Sequence, residues 1–297
     1  MRLTPSLLAL SLISTCAAQK KVVLTNDDGW ATAQIRAEYA ALQAAGFNVI
    51  LSAPAINKSG TGSSTTTPTT LTTACEFNTC PSGSPATGAN STDPRINYVN
   101  AFPVDAVRFG IQTLAPKFFG SKPDFVISGS NIGTNLGSIG GSGTVGAASE
   151  AALEGIPSIA FSGSSGSQVS YTTLSDTTTT STMAANIYTS LILKLTNQLL
   201  NNTSPILPAG ISLNVNFASI SSCPSASSFK FVLTRLESSS ATDVTTCGTN
   251  KLTPESTAIK EGCIATVSVF NASTKADVNS ATQGVVLNKL QPILGCL

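Results

Sequence analysis

Short runs of β-branched residues alternate with helix-period apolar stripes over the first two thirds of the chain. The first run, residues 21–25, ends in two adjacent carboxylates, and residues 35–42 then repeat apolar side chains at the i, i+4, i+7 spacing of an amphipathic helix. The predicted order is strand, acidic turn, helix. Ligands of open α/β sheets lie outside the carboxyl ends of the strands, so Asp27 and Asp28 stand where a site would form.

The same alternation continues to about residue 205. Further strands are predicted at 48–54, 96–99, 124–131 and 156–161, and helical stripes run through 104–114, 147–154 and 183–199. After Pro205 and Pro208 the pattern predicts three strands without intervening helices, at 211–217, 229–236 and 263–270. We therefore predict an α/β fold with a doubly wound, mostly parallel sheet over 19–205, and a β-rich region over 206–297 packed on it.

Residues 61–95 interrupt this pattern with a stretch dense in Thr, Ser, Pro and Gly. A structureless loop of this length is unusual in a compact domain. We therefore expect Thr69–Thr73 to add a short edge strand, and Cys75 and Cys80 to close a small loop.

The first 18 residues have the features of a secretory signal. Arg2 provides a positive n-region, residues 7–13 form a short apolar core, and Cys16-Ala17-Ala18 resembles a cleavage site. We expect a secreted protein. The six remaining cysteines predict three disulfides, with the pairing of the last four left open. Glycosylation sequons stand at Asn57, Asn90, Asn201, Asn202 and Asn271.

Charge and composition argue against several kinds of catalytic centre and binding partner. The chain has no histidine, so a Ser-His-Asp or Cys-His centre is impossible and zinc is disfavoured. Basic and acidic residues nearly balance, with 16 Lys and Arg against 15 Asp and Glu, and no basic run could track a phosphate backbone. We therefore expect neither duplex nucleic acid nor a membrane as partner.

Polar side chains follow three of the predicted strands. Asp27 and Asp28 follow the first, Ser59 follows the second, and Asn131 ends the strand at 124–131. Carboxyl ends of parallel strands share one edge of the sheet. Two carboxylates, a hydroxyl and a carboxamide form an all-oxygen set suited to Mg²⁺, Mn²⁺ or Ca²⁺. The alternative is structural: an Asx turn at Asp27-Asp28-Gly29, a capping role for Ser59 and a turn role for Asn131.

A glycine-rich stretch precedes the helix that starts near residue 147. The backbone N–H groups of Ser142, Gly143 and Thr144 would form an anion pocket at this helix start. Residues 141–146 also match G-x-G-x-x-G, but no strand leads directly into the match and no acidic residue ends a following strand, so a dinucleotide site is disfavoured.

Four segments together resemble one protein family, the SurE survival proteins. These are Val22 to Gly29, Ala53-Pro54 through Ser59-Gly60, Ile127 to Gly137, and Ser142 to Val145. The resemblance implies a Rossmann-like core and a metal-dependent 5′/3′-nucleotidase or acid phosphatase. It implies that Asp27, Asp28, Ser59 and Asn131 hold one divalent metal, Mg²⁺ or Mn²⁺ before Ca²⁺. It also implies that Ser142, Gly143, Thr144 and Asn26 face the phosphate, and that the C-terminal extension forms a homodimer.

The chain departs from that family at two places. Gly141 stands where the family often has His or Tyr, and Ala101-Phe102-Pro103 replaces Gly-Thr-Pro. Phe102 could stack on a base or fill the core, and Lys58 could contact phosphate or be a solvated loop residue.

The prediction is a secreted, metal-dependent phosphomonoesterase with Asp27 and Asp28 as catalytic residues and small-molecule phosphate esters, such as nucleoside monophosphates, as substrates. The alternative is a secreted binding or surface protein that keeps this fold with weak or no turnover. A calcium-dependent nucleoside hydrolase would need more clustered aspartates than this turn provides.

Overall fold

The computed structural model describes residues 19–201 and 204–297, so the predicted signal over 1–18 lies outside the described residues. The strands are β1 (Lys21–Thr25), β2 (Asn48–Pro54), β3 (Thr87–Ala89), β4 (Ile96–Val99), β5 (Phe125–Ile132), β6 (Ser158–Gly163), β7 (Ile211–Phe217), β8 (Lys230–Thr234) and β9 (Ile264–Asn271). The helices are α1 (Ala33–Ala44), α2 (Pro103–Phe109), α3 (Ala115–Phe119), α4 (Gly143–Leu153), α5 (Thr180–Leu200), α6 (Glu255–Ala258) and α7 (Ser280–Leu290). A π-helical turn, Gly110–Leu114, joins α2 to α3.

One nine-stranded sheet runs through the described chain in the order β3-β4-β2-β1-β5-β6-β7-β9-β8. The six strands from β4 to β7 are all parallel, whereas β3 runs antiparallel to β4 and β9 antiparallel to β7. The prediction of an α/β fold with a mostly parallel sheet is confirmed. Because β1 lies between β2 and β5, the turns that follow these strands meet at one edge of the sheet.

Alternate residues of the central strands bury against helices on opposite faces. Val22 and Leu24 belong to a large core cluster that includes residues of α1 and α5. Val23, one position along, instead joins a smaller cluster with residues of α2 and α4. Strands covered on both faces become continuous apolar runs, which is why β1 and β2 show no alternation in the sequence.

The C-terminal region extends the same sheet. β7 pairs with β6 in parallel, and β9 and β8 complete the edge. The expectation of strands without intervening helices is wrong, because α6 lies between β8 and β9 and α7 follows β9. The apolar stripe of α7 is short, with Val286 and Leu290 as its buried hydrophobic residues. The division of the chain at residue 205 stays a prediction.

The edge strand of the long loop is β3, so the expectation of a strand at Thr69–Thr73 is wrong. Leu71 is buried and pairs locally instead, since its N–H donates to Ser84 and its carbonyl accepts from Gly83. Gly88 of β3 lies against the ring of Tyr98, where a Cβ atom would overlap the ring. Only glycine, which has no Cβ atom, allows the Tyr98 ring to pack this closely on β3.

Three disulfides connect the described cysteines, as predicted from their even number. Cys75 pairs with Cys80, Cys223 with Cys263 and Cys247 with Cys296. The last two bridges close loops within the C-terminal region. Their sequence separations are 40 and 49 residues, against 5 for the first.

Candidate active site at the carboxyl edge of the sheet

The turn after β1 is shaped by Asn26. Its side-chain oxygen accepts from the Gly29 N–H at 3.1 Å, and its amide nitrogen donates to the Gly29 carbonyl at 3.0 Å. Gly29 has a φ of +110°, and a Cβ atom there would overlap the carboxylate of Glu76. Asn26 is fully buried in this turn, and its side chain does not line the cleft described below.

Three chain segments converge on Asp27. Thr144 donates from its hydroxyl to Asp27 Oδ1 at 2.7 Å, and the N–H of Lys58 donates to the Asp27 carbonyl at 2.7 Å. A Cβ atom at Gly143 would lie 2.9 Å from Asp27 Oδ2, so the first turn of α4 packs directly on this carboxylate. The turn after β1, the loop after β2 and the start of α4 therefore meet at one side chain.

Asp28 is held by hydrogen bonds from two other segments of the chain. Its Oδ2 accepts from the Ile132 N–H at 2.8 Å and its Oδ1 from the Gln168 side-chain amide at 2.6 Å. Burial raises the pKa of Asp27, and burial together with the charge of Asp27 raises the pKa of Asp28 well above its usual range. Glu76 adds to the repulsion at Asp28, and burial raises its own pKa to about 7. Two buried neighbouring carboxylates favour a cation beside them.

A cleft of about 370 Å³ brings three of the four predicted metal ligands together. Asp27, Ser59 and Asn131 line it, together with Ser142 and the segment 132–136. Asn131 donates its amide to the Gly133 carbonyl at 2.7 Å, while its Oδ1 is buried without a hydrogen-bond partner. Asp28, the fourth predicted ligand, is 1% exposed and does not line the cleft.

The predicted phosphate-binding residues differ in exposure. Ser142 lines the cleft and caps α4, since its hydroxyl oxygen accepts from the Val145 N–H at 3.2 Å. Gly143 and Thr144 are buried and contact Asp27, and neither lines the cleft. The α4 N-terminus, whose N–H groups carry partial positive charge, therefore stands at the cleft wall.

Strand β5, which contains Asn131, is irregular. The register between β5 and β6 shifts between Ser128 and Asn131, and Gly129 has a φ of +122° with its Cα against the Phe161 carbonyl. The Ser130 N–H donates to Glu38 at 3.1 Å, and burial raises the pKa of that fully buried carboxyl well above its ordinary value. The sequence analysis did not predict a role for Glu38. The signal that could have indicated one is that this carboxylate stands among the apolar positions of α1.

Glu255, another buried carboxylate, holds the segment that follows β5 in place. Glu255 accepts from the Gly137 N–H at 2.8 Å, from the Ser268 hydroxyl at 2.9 Å and from the Asn214 side-chain amide at 3.0 Å. Asn216 and Asn135 exchange two further hydrogen bonds. The C-terminal region therefore fixes one wall of the cleft. Nothing local to Glu255 in the sequence indicated this contact.

The described residues contain neither a metal-binding cluster of His, Cys, Asp or Glu nor a membrane-spanning helix. Across 19–201 and 204–297, no three His, Cys, Asp or Glu side chains are grouped so that they could hold a metal. Within the same ranges, no helix combines the length and apolarity needed to cross a bilayer.

Comparison with known proteins gives consistent similarities. The family model for "Survival protein SurE" matches residues 22–243. The chain is 39% identical over 203 residues to an acid phosphatase of Yarrowia lipolytica, an alignment that spans 66% of this chain and 56% of that protein. It is 36% identical over 201 residues to a 5′-nucleotidase SurE of Methanocella arvoryzae, covering 66% of each chain. The alignments with this acid phosphatase and with two further 5′-nucleotidase SurE proteins cover only 49–56% of the length of those relatives.

The fold has a solved counterpart. The crystal structure of the SurE protein from Aquifex aeolicus superposes with a TM-score of 0.60 and 23% identity, over 91% of this chain and 99% of that one. This agreement concerns the fold. Because the family model covers most of the sequence, including every segment that lines the cleft, the chain belongs to the survival protein SurE family.

Proposed function

We propose that this protein is a metal-dependent phosphomonoesterase that hydrolyses small phosphate esters, including nucleoside monophosphates. The observation that carries the proposal is the single cleft lined by Asp27, Ser59, Asn131 and Ser142. It combines acidic and neutral oxygen ligands with the N-terminus of a helix, the two features that phosphoryl transfer needs. The names of the relatives, acid phosphatase and 5′-nucleotidase, support the same substrate class.

The residues present fit one hard cation. Asn131 Oδ1 is buried without a hydrogen-bond partner, and Asn131 lines the same cleft as Asp27. A buried oxygen without a partner is costly unless something binds it. Burial raises the pKa of both Asp27 and Asp28, and a cation bound beside them would favour their charged forms. Asp27, Asp28, Ser59 and Asn131 would hold Mg²⁺ or Mn²⁺, with Ca²⁺ as the third choice.

The chain's own groups have distinct roles in this proposal. Thr144 fixes the orientation of Asp27, and Ile132 and Gln168 fix Asp28. Ser142 and the first N–H groups of α4 face the phosphoryl oxygens and stabilise charge that develops there. Asp27 or Asp28 takes or returns the proton of the attacking water. A bound divalent cation supplies Lewis-acid polarisation and a more acidic water.

The proposal includes export from the cell. Three disulfides are typical of proteins that fold in an oxidising compartment. The homodimer implied by the resemblance, and glycosylation of the sequons, stay predictions.

The test is Asp27→Asn in the purified full-length protein. We expect loss of EDTA-sensitive hydrolysis of p-nitrophenyl phosphate, because a charged ligand is removed, together with an unchanged disulfide-bonded fold by circular dichroism. Asp176→Asn is the matched control, since Asp176 is exposed and its side chain accepts from the backbone N–H and the hydroxyl of Thr178, within its own turn. Equal turnover of the wild type and Asp27→Asn would refute the proposal.

A second candidate is a secreted binding protein without turnover. Asn57 is exposed, lies in a sequon, and accepts from the Ser59 N–H at 2.7 Å, so a glycan there would stand beside the cleft. A screen of phosphate esters with added Mg²⁺ or Mn²⁺, on glycosylated and deglycosylated protein, separates the two candidates.

A further inference from the structure

Strand β5 continues past the end of its neighbour β1. The last paired residues of the two strands are Thr25 and Ser128, so the part of β5 from Gly129 to Ile132 has no β1 residue paired with it. On the other side, the pairing with β6 shifts between Ser128 and Asn131. Because a buried N–H group without a partner is costly, the N–H groups on the β1 side of this segment need other acceptors.

Two carboxyl groups from different parts of the chain supply these acceptors. The Ser130 N–H donates to Glu38 Oε2 at 3.1 Å, and the Ile132 N–H donates to Asp28 Oδ2 at 2.8 Å. Asn131, which lines the cleft, lies between these two N–H groups. The backbone is therefore held by a side-chain carboxyl group on each side of Asn131.

Glu38 holds its end of this segment from inside the core. It is fully buried in α1, and Ile35 and Leu42 of the same helix belong to the large core cluster. Ser130 is only 2% exposed, so water cannot readily replace Glu38 as the acceptor of its N–H. Loss of the Glu38 oxygen would therefore leave this N–H unpaired or displace the segment that carries Asn131.

The position of Glu38 in α1 is one that favours an apolar side chain. Its neighbours at i−3 and i+4, Ile35 and Leu42, are both fully buried, and burial of a carboxyl group is costly unless all of its oxygens are bonded. Glu38 Oε1 has no hydrogen-bond partner within the described part of the chain. A polar residue that breaks the local pattern at such a cost is typical of a residue that supports a functional site.

We propose that Glu38 is a positioning residue of the cation site, which fixes the backbone at Asn131 through the Ser130 N–H and thereby sets the direction of the unpaired Asn131 Oδ1. This inference rests on the proposed function, in which Asn131 is a ligand. Glu38 does not line the cleft, so it acts through Ser130 and not on the substrate. Removal of a residue that orients a metal ligand typically weakens metal binding by about 10- to 100-fold.

The test measures Mn²⁺ binding to the purified full-length protein by isothermal titration calorimetry, which requires no turnover. Glu38→Met keeps a side chain of similar length but removes the acceptor, so we expect the Kd for Mn²⁺ to rise at least about tenfold. Glu38→Gln keeps an oxygen that can accept from the Ser130 N–H, and its Kd should stay within about twofold of the wild-type value. Leu42→Met is the matched control, because it changes the packing of the same helix one turn further on and should leave the Kd unchanged.

Kinetics distinguish a positioning role from a direct catalytic one. At saturating Mn²⁺, Glu38→Met should recover most of the wild-type kcat on p-nitrophenyl phosphate, because its cation site is weakened and not lost. At limiting Mn²⁺ it should be much less active than the wild type. Asp27→Asn, which removes a charged ligand, should stay inactive at the same saturating concentration.

A shorter side chain gives a second variant in case Glu38→Met does not fold. Glu38→Asp keeps the carboxyl group but withdraws it by one methylene group from the Ser130 N–H, so its Kd should lie between those of Glu38→Gln and Glu38→Met. Circular dichroism and the Tm of the metal-free proteins show which variants are folded. Only folded variants enter the comparison of Kd values.

The outcomes separate this inference from the proposed function. A wild-type Kd that is retained by the folded variants Glu38→Met and Glu38→Asp overturns the positioning role, while the proposed function stands. A wild-type protein that binds no Mn²⁺ and hydrolyses no phosphate ester overturns the proposed function, and the positioning role with it.

Discussion

Thr144 donates its hydroxyl hydrogen to a carboxylate oxygen of Asp27 across 2.7 Å, joining residues that are 117 positions apart. Both side chains are almost completely buried. The bond links the turn after β1 to the first turn of α4. The helix start that would face a phosphate and the carboxylate that would hold a cation are therefore positioned by one contact.

We expect Thr144→Val to lower kcat/KM on p-nitrophenyl phosphate by at least about tenfold, because a buried acceptor left unpaired costs ~1–3 kcal/mol. Valine matches threonine in shape, so the packing of α4 is retained. Thr144→Ser keeps the hydroxyl and should keep most of the activity. If Thr144→Val retains wild-type kcat/KM, this hydrogen bond does not position Asp27 for catalysis.

The cation site can be tested without an activity assay. Addition of Mn²⁺ or Mg²⁺ at one hundred times its Kd should raise Tm by roughly 5 °C, since binding to the native state then contributes ~2.7 kcal/mol. Asn131→Ala removes the unpaired Oδ1 and should abolish most of this shift. Thermal melts with and without EDTA give the measurement. An equal shift in wild type and variant would exclude Asn131 as a ligand.

The raised pKa of Glu255 predicts that the free energy of unfolding depends on pH. Burial raises its pKa from 4.5 to about 8, which corresponds to ~4–5 kcal/mol for one group. The folded state then binds more protons than the unfolded state between these values, so the free energy of unfolding falls as pH rises from about 4.5 to 8. Glu255→Gln should be less sensitive to pH.

Denaturant melts at pH 5 and pH 9 check this prediction. The stability of Glu255→Gln relative to wild type should increase with pH, and the exposed Glu261→Gln should show no such change. A constant difference between Glu255→Gln and wild type at both pH values would contradict it.

Removal of the Cys247–Cys296 disulfide should mainly lower stability, whereas removal of the Cys75–Cys80 disulfide should mainly lower activity. Replacing Cys247 and Cys296 by alanine opens a loop with a sequence separation of 49 and should cost ~4 kcal/mol of unfolding free energy in the chain-entropy model. Replacing Cys75 and Cys80 opens a separation of only 5 and should cost less. It should nevertheless reduce activity more, because Glu76 within that loop lies against Gly29 of the acidic turn. Melting and kinetics of the two double variants provide the comparison.

The sequence alone determined the order of the central strands along the chain and the polar residues at their ends. β1, β2, β4 and β5 could be predicted because strand and helix periods are local properties of the chain. Asp27, Ser59 and Asn131 could be placed at one edge because parallel strands share their carboxyl ends. The oxygen chemistry of the site followed from the residue types and from the absence of histidine.

Only the tertiary structure decided which side chains support that edge. Glu38 bonds Ser130 across 92 positions and Glu255 bonds Gly137 across 118, and no local pattern encodes either contact. The pairing of Cys223 with Cys263, the edge strand β3 and the helix α7 depend in the same way on packing partners distant in sequence. Local periodicity specifies elements, whereas burial of polar groups is satisfied only when distant segments meet.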